Sequence, residues 1–279
     1  MDYCNLIPQI AEVDELIKDL FFSLAPLYKD ISEAKLVTVP LFTALHSTSE
    51  SILLLLESRG VFDADILLRC LMEGTIKYCY IMNGDKEEKA KKCEEYKTVL
   101  YEMERLADHK KAKEAIEILE TFSNNSLKPF EIMILSDEDE KMLSSKYPAK
   151  KRNELLQRWS YQSLLKSLAN DRKEYEAQLG TLSTYATTSH FCHFDWTGVS
   201  ARNQQIKASR DRSDELFDYI HGLRILSNTL SMYIFRVIEY IHDNHSLDQT
   251  LIEKCSYGFS LVARIDNKLN ELIDQKVNI

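Results

Sequence analysis

Turn-making residues are scarce in this chain: seven glycines and five prolines serve 279 positions. A fold of many short strands needs such punctuation every ten residues or so, and long helices do not. The apolar spacing agrees, since Ile10, Val13, Ile17, Leu20, Phe21 and Leu24 recur with the period of one helical stripe. A second helix is expected over about Val39 to Ser58, stopped by Gly60. Asp63 is placed to cap a third, and Gly84 stands where a C′ glycine ends it. The expected architecture is all-α: one multi-helix bundle over residues 1–279 with a charged excursion at about 85–150.

Within that excursion, Asp85 to Phe122 is rich in Lys and Glu at i, i+4 spacing and reads as a solvated helix or helical hairpin. Asn124 to Pro148 reads as a connector holding one short acidic helix capped by Ser136, with Pro148 as a breaker. From Lys146 to Arg172 basic residues prevail, opposed by Glu154 and Asp171. Two long helices, roughly Ser213 to Asp243 and Leu247 to Gln275, close the chain.

Hydrophobic residues at 44% and charged residues at 28% are ordinary for a chain with a buried core. The net charge of −9 argues against a surface wrapped in nucleic acid but leaves room for a local basic patch. Six cysteines are scattered without a C-x-x-C pair, as expected of reduced thiols. The first twenty residues lack a basic n-region, and no uninterrupted apolar run reaches bilayer length. A cytoplasmic protein without a membrane partner is expected.

The stretch Ile66–Met82 is apolar over most of a helix circumference, yet Asp65, Arg69, Glu73 and Lys77 fall on one narrow stripe of alternating charge. Either they form a solvated ladder of i, i+4 ion pairs, or they face a cleft and need polar partners. One other stripe could supply them. Thr181, Tyr185, Ser189 and His193 recur at four-residue spacing, in a segment whose Ser and Thr content is poor for helix propensity alone.

These motifs carry a resemblance. Arg69-x-x-x-Glu73 on an early apolar helix, a segment holding Trp159, and Tyr185-x-x-x-Ser189-x-x-x-His193 resemble a large bacterial family of all-helical proteins of unknown function, over roughly residues 35 to 200. That family looks related to the HEPN-type helical proteins, many of which are metal-independent ribonucleases of toxin and anti-phage systems. The class is marked by an Arg and a His four to six residues apart. Here Arg236 and His242 have that spacing and form an alternative catalytic pair.

The resemblance implies a HEPN-like fold, a homodimer, a partner protein of a defence or toxin–antitoxin system, and an endoribonuclease acting as a bacterial defence or toxin effector. Its catalytic residues would be Arg69, Glu73, Tyr185, Ser189 and His193. The imidazole would move protons, because histidine titrates near neutrality, and Arg69 would stabilise charge on a scissile phosphate. Thr197 to Arg212 reads as a polar loop in which Arg202, Lys207 and Arg210 could hold an RNA backbone. His190, Cys192, His193 and Asp195 have ligand-type side chains, but their spacing does not put them on one face, so no metal and no cofactor are expected. The competing expectation is a binding or regulatory helical module whose stripes form a structural network.

Overall fold

The computed structural model describes residues 2–24, 34–119, 127–193, 195–210, 215–244 and 248–277. Among them there is helix and no strand. The chain forms two compact units, one from Met1–Asn83 with Leu164–Ile279 and one from Gly84–Ser163.

In the first unit, helices α1 (Ile7–Leu24), α2 (Lys35–Glu57) and α3 (Val61–Met82) run in succession from the N-terminus. The chain returns to the first unit within α9 (Tyr161–Asp171) and continues through two short 3-10 turns, α10 (Thr181–His193), α11 (Trp196–Arg210), α12 (Glu215–Asn244) and α13 (Gln249–Val277). The centre is α3. It packs against α2, α12 and α10, burying Leu68, Leu71, Met72, Ile76 and Tyr78 on different sides of its circumference, as a helix apolar nearly all round must. By length and composition α2 could cross a bilayer. Its neighbours are α1, α3 and α12, and Phe42, Leu45, Ile52 and Leu56 are buried among them.

The start of α3 differs from expectation. The helix begins at Val61 with Gly60 as N-cap, and Asp63 lies in its first turn. Its end is as expected, since Gly84 follows the C-cap Asn83 with a φ of 106° that favours glycine.

The second unit is the charged excursion. Asp85 and Glu88 form a reciprocal capping box at the start of α4 (Lys86–Glu94), which runs through a π-helical turn (Glu95–Val99) into α5 (Leu100–Leu119). Then follow α6 (Lys128–Glu131), α7 (Asp137–Lys146), capped by Ser136, and α8 (Ala149–Arg158), led by Pro148. Met103, Leu106, Leu135, Leu143, Tyr147 and Leu155 make its core. Trp159 is buried, with its indole N–H donating to Glu95 at 3.0 Å.

The expected loop Thr197–Arg212 is a helix through Arg210. Asp195 starts it: its Oδ1 accepts from the Gly198 N–H at 3.1 Å, and its carbonyl accepts from Val199 at 2.9 Å. The expected ends at Phe122, Arg212, Ser213 and Leu247, and the connector residues 124–126, lie outside the described residues.

Candidate functional site

The charged stripe of α3 is divided between two neighbouring helices. Asp65 is fully buried, at 0% exposure, and turns to α12. Its Oδ2 meets His221 Nε2 at 2.5 Å, and Arg224 Nη2 donates to both of its oxygens at 2.7 Å. One turn along, Arg69 turns to α10. Its Nη1 donates to the Tyr185 carbonyl at 2.9 Å and its Nη2 to the Tyr185 hydroxyl at 3.0 Å, with the guanidinium 4.0 Å from the ring centroid. The Tyr185 hydroxyl in turn donates a hydrogen bond to Glu73 Oε2 at 3.2 Å, and Lys77 donates to Glu73 Oε1 at 2.8 Å. Only this last step resembles the surface ladder that the spacing alone allows.

Burial sets the electrostatics. Desolvation would raise the Asp65 pKa, but the hydrogen bond from His221 and the Arg224 charge outweigh it and hold the carboxyl below its ordinary value. The same contest at Glu73, desolvation against Lys77, Tyr185 and Arg69, also ends with a lowered carboxyl. The Tyr185 phenol moves up, chiefly through desolvation and then the Glu73 charge, with Arg69 opposing. Both carboxylates therefore stay ionised, and each has cationic partners.

The α10 stripe is only partly engaged. Tyr185 faces α3, while Ser189 lies one turn beyond it, half-buried and outside the network. His193 lies two turns beyond Tyr185, roughly 12 Å along the helix axis, and is exposed. Among the described residues no hydrogen bond or ion pair joins it to Glu73, whose oxygens are taken by Lys77 and Tyr185. The structure therefore does not bring Glu73 and His193, both candidate catalytic residues, into contact. His190 pairs instead with Asp195 at 2.5 Å, and among the described residues no three His, Cys, Asp or Glu side chains are grouped to hold a metal.

Nor does the alternative pair meet. Arg236 and His242 lie on one uninterrupted helix that continues to Asn244, so the helix end needed to swing them together is missing. Arg236 is fully buried, donates to Ser49 Oγ at 3.2 Å and lies over the Tyr233 ring, whereas His242 is exposed. Of the basic residues on α11, Arg202 donates to Asp63 at 3.1 Å and Lys207 is exposed. The Arg210 side chain lies outside the described residues.

Sequence reasoning missed His221. Its signal was present: His221 and Arg224 stand one turn apart on a strongly apolar helix and so share a face that must find a partner. The imidazole is 8% exposed and ringed by Phe62, Phe217 and Phe191, with centroids 5.4, 5.7 and 6.4 Å away. With Nε2 on the Asp65 carboxylate, Nε2 is the protonated nitrogen, which leaves the neutral ring's lone pair on Nδ1. Nδ1 is buried and has no hydrogen-bond partner among the described residues.

Two cavities lie in this region, and the His221 ring lines one of them. One of about 360 Å³ is lined by His221, Arg224, Phe217, Thr184 and Thr187. The other, of about 640 Å³, is lined by Phe62, Trp196, Arg202, Asn203 and Lys207. Phe191 lines both.

No curated protein and no solved structure matches the chain. A family match spans residues 35–210, from the first residue of α2 to the last of α11, and so contains the Arg69–Glu73–Tyr185 network but not α12. By that match, which covers more than half of its length, the chain belongs to the family of unknown function DUF5677.

Proposed function

We propose that this protein is a metal-independent endoribonuclease in which His221 moves the proton, Asp65 orients it and Arg224 holds the phosphate. The observation that carries this reading is the Asp65–His221 hydrogen bond of 2.5 Å beside a cavity, with Nδ1 left unpartnered. An imidazole fixed at one nitrogen by a carboxylate and left without a partner at the other has the parts of an acid–base device. RNA carries its own nucleophile, so the protein need only manage charge and protons. Nδ1 accepts the proton of a ribose 2′-hydroxyl, whose oxygen attacks the adjacent phosphorus. The bond from phosphorus to the 5′-oxygen breaks, the leaving oxygen takes a proton from a water molecule whose hydroxide is reprotonated by the imidazolium, and a 2′,3′-cyclic phosphate results. Arg224 spends only Nη2 on Asp65, which leaves its other N–H groups for the phosphate oxygens.

In this reading Arg69, Glu73 and Tyr185 brace α3 against α10, and His221 takes the role that the resemblance implies for His193. The resemblance of the motifs to HEPN-type proteins extends the proposal to a HEPN-like bundle, a homodimer, and a defence or toxin role with a partner protein.

The test is cleavage of single-stranded RNA by wild type, His221→Asn and His193→Asn, with DNA of the same sequence as control. Wild type and His193→Asn should cut RNA alone, and His221→Asn should lose at least about a hundredfold, the lower range of acid–base contributions. Cleavage by His221→Asn but not by His193→Asn would return the chemistry to the α10 stripe. Failure of wild type to cut any RNA would favour the second reading, a binding or regulatory module. That alternative draws on the Arg69–Tyr185–Glu73–Lys77 network, whose hydrogen bonds are already satisfied within the protein.

A further inference from the structure

Trp196 is the first residue of α11, and its indole is 81% exposed beside the cavity of about 640 Å³. A large ring left in water on a polar helix is unusual enough to ask what covers it, and its surroundings narrow the answer. The sequence of α11 contains Arg202, Lys207 and Arg210 and no acidic residue, in a chain whose net charge is −9. Arg202, Asn203, Gln204 and Lys207 line the cavity together with Trp196. Lys207 is exposed and forms no ion pair among the described residues, while Arg202 is held at 3.1 Å by Asp63. An aromatic face, amide groups and cations around one cavity suit a planar polar ring joined to an anion. A purely apolar occupant would leave the amides and the charges without purpose.

We propose that this cavity binds a nucleobase of a single-stranded nucleic acid, stacked on Trp196, with Lys207 on the adjoining phosphate and Asn203 and Gln204 facing the base edge. The strand must be single, because a base can stack on an indole only after leaving its neighbours in a duplex. The volume lies within the range of ligand sites. The placement also joins this subsite to the chemistry: Phe191 walls both this cavity and the one lined by His221 and Arg224, so a base here would sit one aromatic ring away from the acid–base group. The inference deepens the proposed function by naming a subsite for one base of its substrate, and it rests on that reading only for the cleavage step.

The probe is a fluorescein-labelled 2′-O-methyl RNA octamer, which lacks the attacking hydroxyl and so separates binding from cleavage. Anisotropy at low salt gives its affinity, and tryptophan emission reports contact, since Trp159 is buried and Trp196 is exposed. Wild type should bind with quenching and prefer the single strand to its duplex. Trp196→Ala should weaken binding about 5- to 100-fold, the range of base–aromatic stacking, and Trp196→Phe should restore part of it. Lys207→Ser should lower the slope of log affinity against log salt by about one. No binding by wild type, equal affinity for duplex, or wild-type affinity in a natively folded Trp196→Ala would each overturn the proposal. Binding through Trp196 without RNA cleavage by wild type would sink the nuclease reading alone, and cleavage with binding indifferent to Trp196 would sink this one alone.

Discussion

Asp65 has no exposure to water and lies between an imidazole and a guanidinium. Taking a carboxylate out of water is costly, and among the described residues His221 and Arg224 offset that cost. Asp65→Asn keeps the shape and removes the charge, so it should destabilise the fold by roughly 3–5 kcal/mol, as measured by denaturant unfolding. The pH dependence follows from the direction of the shift. An unfolded Asp titrates near about 3.9, and the folded carboxyl titrates lower. Its contribution is therefore complete above about pH 4 and is lost as the pH falls through the folded value. The advantage of wild type over Asp65→Asn should be full at pH 5 and shrink below 4; an advantage that grows on acidification would contradict the pairing.

Among the elements, α11 depends on a close approach that only glycine allows. A Cβ on Gly198 would stand 2.3 Å from the His190 carbonyl oxygen of α10. Gly198→Ala must push the two helices apart, at a cost of about 1–3 kcal/mol by thermal unfolding; a neutral result would mean that α10 and α11 yield freely there. Leu71→Ala, at the centre of α3 with 0% exposure, should cost roughly 2–5 kcal/mol. The apolar circumference of α3 was plain in the sequence, because burial on several sides needs a run of apolar residues that no surface helix carries. The caps at Ser136 and Gly84 were plain too, since each rests on local chemistry. The helix α11 was obscured by its polar composition, although Asp195 ahead of Trp196–Gly198 is a start signal. Half of the candidate site was hidden for a different reason. Arg69, Glu73 and Tyr185 announce themselves by four-residue spacing, whereas His221, the partner of Asp65, lies 156 residues away on α12, and spacing says nothing about which distant helix arrives.

The first unit is assembled from both ends of the chain, and the second is inserted whole between its halves. A contiguous unit closes its core with shorter loops than one whose halves are interrupted. Pulse-labelled hydrogen exchange during refolding should therefore protect amides of α5 and α7 before those of α3 and α12; the reverse order would show that the interrupted unit nucleates folding. The same layout affects the protein while it is being made. Once Asn83 has been synthesised, about 140 further residues must follow before Arg224 exists, which at ribosomal speeds is on the order of 10 s. Through that interval α3 has its apolar circumference half-clothed and the Asp65 carboxylate without its imidazole and guanidinium partners. A nascent chain of this protein therefore passes through a period in which its central helix lacks most of the partners that bury it, and that period is the natural moment for a chaperone or a second nascent copy to engage it.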